Sequence, residues 1–196
     1  MASGVIRVVG VMAALAFLLL AVPLEHVDEL RTVDLSTVAP LGAKVEAAQS
    51  PACDANPKAA NLNFVLKDSS GKDFNLASLK GKVIVLDFWA TWCPPCKVEI
   101  PWFVEFQQKY GPKGLIVVGV SVDDPAAALA PFGEKFKVNY PLLVGDGRDD
   151  IKGPRGYNAA WGLPKTFVIG RDGRICKTHI GLSVKEHFDQ QIKSLL

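Results

Sequence analysis

Two cysteines separated by two prolines, Cys93-Pro94-Pro95-Cys96, lie within the stretch WATWCPPCKVEIPWF at residues 89–103. Thiols this close can capture a metal, form a structural crosslink, or exchange disulfides reversibly. A structural zinc site needs four ligands. Cys53 and Cys176 supply no second C-x-x-C, and His26, His179 and His187 lack ligand spacing, so no metal is expected. A crosslink over so short a loop gains little stability. Exchange is the remaining use. At a strand-to-helix turn Cys93 takes the N-cap position and Pro94 the first helical position, where its missing N–H is harmless. The helix N-terminus favours a thiolate, which makes Cys93 the exposed nucleophile. Cys96, one turn deeper, is the resolving thiol. Pro94 and Pro95 lack N–H donors, so only Cys96 can offer one to the Cys93 sulfur within the first helical residues. A less stabilised thiolate means a less oxidising disulfide, which points to a reductant.

The elements that must hold this turn are legible as hydrophobic pattern. VIVLDFW, residues 83–89, is an unbroken β-branched and aromatic run, the mark of a strand covered on both faces. A helix is predicted from the cysteines to about Tyr110, kinked at Pro101, with Trp102, Phe103 and Phe106 as packing residues. LIVVGVSV at 115–122 is a second buried strand. Asp124-Pro125 reads as the N-cap and first residue of another helix, which Pro131 interrupts. YPLLVG is a short extended piece. KTFVIG and RICKTHIG flank Arg171-Asp172-Gly173, a hairpin turn. Ser183-x-x-Glu186 forms a capping box for a last helix with Val184, Phe188, Ile192 and Leu195 on one face. Upstream, LNFVLKDSSGKDFNLASLKGK predicts a strand, a Ser-Ser-Gly turn and a second extended piece. The expected fold class is α/β: a mixed β-sheet sandwiched by helices, with an N-terminal hairpin extension and a central insertion.

The whole chain of 196 residues is 49% apolar, enough for a sizeable core. Its formal net charge is +2 and its charges are interspersed, which argues against nucleic acid as a partner. Residues 8–22 carry no charge; Arg7 precedes them and Glu25, Asp28 and Glu29 follow. The positive flank stays cytoplasmic, so the bulk of the chain is translocated. A cleaved signal has an apolar region of about 7–15 residues and then a small-x-small site; a spanning helix needs about 20 residues. Val5, Ile6, Pro23 and Leu24 extend the run and no good cleavage site follows, which favours an anchor. The expected organisation is a membrane anchor or signal segment at 1–24, an extracytoplasmic tether at 25–58, and the folded domain at 59–196. The domain faces the periplasm or another extracytoplasmic side, secreted there if the segment is cleaved.

VIVLDFWATWCPPC, Pro101 eight residues after Cys93, and the later GLPKTFVIGRDGRI together resemble the thioredoxin superfamily, in particular the membrane-anchored TlpA/ResA-type thiol–disulfide oxidoreductases, over residues 62–196. The resemblance implies a thioredoxin-like fold with Cys93 and Cys96 as the redox pair. It places Pro164 at the family's cis-proline beside the disulfide, with the Leu163 backbone open to a strand-like substrate. Lys165 stands where relatives carry a small polar residue and brings a positive charge near that groove. Asp87 matches a buried acid that moves protons to and from the resolving thiol, and Glu99 an acidic position of the ResA-type branch. Trp92, with Pro94 and Pro95, falls on the substrate-contacting rim, and Trp89 falls in the core. The implied partners are disulfide- or thiol-containing extracytoplasmic proteins, apocytochrome c among them through cytochrome c maturation, and a membrane electron donor; no bound cofactor is implied. Cys53 and Cys176 are expected either to bond, pinning the tether to the sheet edge, or to stay free, Cys176 as a buried hydrophobe and Cys53 as a stray thiol. Two alternatives stay open. A thiol peroxidase of the peroxiredoxin-like branch would need a Pro-x-x-x-Thr-x-x-Cys setting that Cys93 lacks. A copper-delivery protein of related fold would use three residues between its cysteines and a downstream histidine, for which His179 is the candidate.

Overall fold

The structure is a computed structural model that describes residues 53–159 and 161–196. The expected anchor at 1–24 and tether residues 25–52 lie outside the described residues. A short antiparallel hairpin, β1 (Val65–Lys67) and β2 (Asp73–Asn75), precedes the main body. The elements then run β3 (Val83–Trp89), α1 (Pro94–Tyr110), β4 (Leu115–Ser121), α2 (Ala126–Phe136), β5 (Leu142–Val144), α3 (Asp149–Lys152), β6 (Lys165–Ile169), β7 (Ile175–Ile180) and α4 (Lys185–Leu195).

The two apolar runs become the centre of a five-stranded sheet of order β5-β4-β3-β6-β7. Every residue of β3 is buried. β3 pairs in parallel with β4, and β4 with β5, while β6 is antiparallel to both β3 and β7. Side chains of a strand alternate between faces. Phe88 therefore meets Tyr157 and Phe167 at ring-centroid distances of 5.3 and 5.9 Å, while Trp89 packs on Phe132 of α2 at 4.5 Å. Phe103 of α1 stands edge-on to Phe188 of α4 at 5.2 Å and joins those helices. Gly119 of β4 admits the Trp89 indole, because a Cβ there would lie 2.9 Å from its Nε1.

Both sheet edges are occupied. Against β5, Ser69 donates its N–H to Leu142 O, and Asp68 bridges Leu143. Against β7, residues 54–60 run alongside, with Asp54 N–H on Cys176 O, Ile175 N–H on Lys58 O and Ala60 N–H on Gly173 O. The stretch 53–58, which sequence pattern assigns to the tether, is therefore packed on the domain.

Three local expectations need correction. α2 begins at Ala126 with Pro125 as its N-cap residue, and Asp124 does not cap it; the Asp124 carboxylate is drawn to Thr91 and Ser121. Pro131 lies inside α2 without ending it, because the buried Leu129 and Phe132 dock the helix on the core and packing outweighs local propensity. The capping box at Ser183 is not formed: α4 starts at Lys185, its N-cap residue Val184 makes no side-chain cap, and the Ser183 N–H goes to Glu99.

Candidate active site

β3 and β4 are parallel and in register, with Trp89 opposite Ser121, so their C-terminal ends emerge side by side. The turn after β3 therefore meets the turn after β4. Asp124 Oδ2 accepts the Thr91 N–H at 2.7 Å and the Ser121 hydroxyl at 2.6 Å, while Oδ1 accepts the Thr91 hydroxyl. The Trp92 indole Nε1 donates to Asp123 Oδ1 at 3.0 Å. These bonds hold the residues leading into the cysteines. Sequence reasoning missed Thr91, Asp123 and Asp124 in this part; the available signal was the pairing of two buried parallel strands, which brings their ends together.

Cys93 is the N-cap residue of α1, in extended conformation, with Pro94 and Pro95 after it. Its sulfur accepts the Cys96 N–H at 3.2 Å, the donor that the two prolines leave available. Cys93 and Cys96 are disulfide-bonded. Cys93, expected to be exposed, is 2% exposed; the bond to the wholly buried Cys96 draws its sulfur back against the first helical turn. Trp92 beside it is 60% exposed.

Asp87 sits in β3 between Gly119 of β4 and Thr166 of β6. It is buried, and its Oδ1 accepts the Thr166 hydroxyl at 2.9 Å. Burial first, and then the charge of Glu99, push the Asp87 carboxyl up to about 8. Glu99, one helical turn beyond Cys96, is equally buried and not a surface residue of α1. Its Oε1 accepts the Ser183 N–H at 2.8 Å, and its buried Oε2 has no partner among the described residues. Burial raises Glu99 to about 7 against the pull of that hydrogen bond. Both buried carboxyls, Asp87 also feeling the charge of Glu99, are thus raised toward neutral pH, the range in which an acid–base group is most useful.

The Leu163–Pro164 peptide bond is cis. β6 starts at the next residue, and Lys165 pairs with Phe88, so Pro164 lies level with the end of β3 from which the cysteine turn departs. Leu163 is partly buried against the core. Lys165 Nζ donates to Asn158 O at 2.8 Å, which places its charge on the loop before the cis bond. Trp161 in that loop is 84% exposed. Ile180 pairs with Lys165 at the same end of the sheet, and Ile180 and Leu182 are both exposed. Exposed apolar side chains therefore lie at the end of the sheet from which the cysteine turn departs. Cys53 is disulfide-bonded to Cys176 on β7. His179 has Gln191 and Ser183 within hydrogen-bond distance of its two ring nitrogens. Among the described residues no group of three or more His, Cys, Asp or Glu is arranged to hold a metal ion.

The AhpC/TSA family model matches residues 57–178. The thiol–disulfide oxidoreductase ResA of Bacillus thuringiensis (strain Al Hakam) is 33% identical over 133 residues, which cover 68% of this chain and 75% of that protein. The chain belongs to the ResA-type thiol–disulfide oxidoreductases. A second ResA, from Bacillus subtilis (strain 168), is 35% identical over 119 residues, covering 61% of this chain and 64% of that one. Among solved structures, a thiol:disulfide interchange protein of the thioredoxin family from Chlorobium tepidum superposes with a TM-score of 0.63 at 31% identity, over 72% of this chain and 98% of that one. A secreted Mycobacterium tuberculosis disulfide oxidoreductase homologous to DsbE superposes with a TM-score of 0.60 at 26% identity, over 68% of this chain and 97% of that one. This ResA-type chain is an enzyme of thioredoxin-like fold, and its bonded Cys93–Cys96 pair is of the kind that such oxidoreductases exchange.

Proposed function

We propose that the chain reduces disulfides in extracytoplasmic proteins through Cys93 and Cys96. The Cys93 thiolate attacks one sulfur of a substrate disulfide; the other leaves as a thiolate, and a mixed disulfide joins substrate and enzyme. Cys96 then attacks the Cys93 sulfur, which forms the Cys93–Cys96 disulfide and frees the second substrate thiol. The substrate gains two electrons, and the enzyme dithiol loses them. The proton of Cys96 passes to Asp87 or Glu99. Trp92, Pro94, Pro95, Leu163 and Pro164 form the surface on which the substrate docks. Residues 1–24 anchor the chain and 25–52 tether it outside the membrane, where a membrane electron donor restores the dithiol. Cytochrome c maturation, with apocytochrome c as substrate, is the pathway that fits such an arrangement.

The observation that carries this reading is the bonded cysteine pair at the start of α1, backed by two buried carboxyls poised near neutrality. The extracytoplasmic assignment is supported by the secreted relative and by the charge flanks of residues 8–22. Trapping tests it. Cys96→Ser in cells holds substrates on Cys93 as mixed disulfides, recoverable on non-reducing gels. A Cys96→Ser variant that captures no protein, while the wild-type chain turns over small disulfides, overturns the assignment of protein substrates.

A further inference from the structure

The turn between β7 and α4 contains a serine and a histidine that the proposed chemistry does not use. The Ser183 N–H donates to Glu99 Oε1 at 2.8 Å. Ser183 Oγ lies 3.2 Å from His179 Nδ1, and His179 Nε2 lies 2.8 Å from Gln191 Oε1. A carboxamide oxygen only accepts, so Nε2 carries the ring proton. Nδ1 is then a bare acceptor, and the Ser183 hydroxyl donates to it. The Phe188 ring, 4.4 Å away, fixes the imidazole from the side.

We infer that His179 is a positioning residue for Glu99: by holding the Ser183 hydroxyl it fixes the N–H that Glu99 accepts, and so governs how readily Glu99 takes the proton of Cys96. The inference rests on the role proposed above for Glu99.

Three observations support it. First, the bond from Ser183 is the one hydrogen bond to the Glu99 carboxyl among the described residues, since the buried Oε2 has none. A hydrogen bond to a charged group is stronger than a neutral one and favours the ionised form, so where there is one, its geometry decides. Second, the turn that presents Ser183 has little else to fix it. It follows Gly181, at φ 73°, and α4 has no side-chain cap. The turn is tied at one end by the Gly181 N–H on Pro164 O and at the other by the Ser183–His179 bond. Third, the charged groups nearby are otherwise engaged. From β3, Asp87 interacts with Glu99 through charge. From α4, Lys185 is paired with Glu105. Lys177 and Asp54, paired with each other, and His187 are the charges felt by His179 itself, whose proton affinity burial lowers. None of them hydrogen-bonds Glu99.

The test is a carbon-13 titration of the Glu99 carboxyl in the oxidised full chain in detergent, with Glu99→Gln to assign the signal. Ser183→Pro removes the N–H; Ser183→Ala and His179→Phe keep it but remove the hydroxyl bond. The midpoint is expected to rise by about one pH unit in Ser183→Pro, as follows from losing a hydrogen bond to a charged group, and by roughly half that in the other two. Ser183→Thr, which restores the hydroxyl, brings the midpoint back. The acid limb of mixed-disulfide resolution moves upward in step. A midpoint that stays put in both Ser183→Ala and His179→Phe overturns the inference, even if Ser183→Pro does not fold. Failure of the underlying reading looks different: Glu99→Gln would then resolve the mixed disulfide at the wild-type rate at every pH, whatever the titration shows.

Discussion

Two disulfides share this domain and are set in opposite surroundings. Cys93–Cys96 joins residues three apart at the start of a helix, between a turn gripped by Asp123 and Asp124 and a pair of buried carboxyls. Cys53–Cys176 joins residues 123 apart, tying the segment beside the sheet to the edge strand β7, among backbone hydrogen bonds and the ion pair of Asp54 with Lys177. A crosslink restrains the unfolded chain more when it closes a longer loop. The long bond therefore contributes most of what disulfides add to stability here, and the short one can open and close with little effect on the fold. Buried carboxyls lie near the short bond, whereas the ionisable groups beside the long one, Asp54 and Lys177, are paired with each other.

The comparison can be broken by exchanging the roles. Cys93→Ser should abolish disulfide exchange with any substrate, whereas Cys53→Ala should leave the exchange rate as it is, both read by stopped-flow fluorescence. Lost exchange in Cys53→Ala would end the division of labour. In urea unfolding the order reverses: Cys53→Ala should cost about 3–5 kcal/mol, and opening Cys93–Cys96 roughly less than half as much.

A smaller effect sharpens the contrast through pH. The folded domain keeps a proton on Asp87 that the unfolded chain releases. Stability from this group is therefore complete below the ordinary carboxylate value of 3.8 and is lost as pH rises through about 8. Asp87→Asn should flatten that decline. At pH 9 the variant should exceed the wild type by at least ~2 kcal/mol, and at pH 4 the gain should vanish, as measured by denaturant midpoints. Smallest is Asp123→Ala, which frees the Trp92 indole. A single exposed hydrogen bond of this kind should cost about 0.5–1 kcal/mol and shift the tryptophan emission without unfolding the domain.

The strands, the long helix and the cysteine turn were legible because each is a local pattern: an unbroken β-branched run, a C-P-P-C at its end, a turn triplet between two extended pieces. The cis bond at Pro164 followed from resemblance. What failed were local readings overruled by distant partners. Asp124 beside Pro125 has the chemistry of an N-cap, and Ser183 with Glu186 that of a capping box. Both were claimed by groups far along the chain, Thr91 in one case and Glu99 in the other. Glu99 was singled out by resemblance, but its burial and its bond to Ser183 were not legible. A single sequence does not show which face of α1 meets the β7–α4 turn.

A protein that exchanges disulfides with other polypeptides faces a hazard of its own, because a bare strand edge would pair with them along its length. Here one border of the sheet is shielded by the hairpin at Asp68 and Ser69 and the other by residues 54–60. On the mechanism proposed above, contact with substrates is thereby left to the exposed Trp92 and its neighbours, where it can be brief.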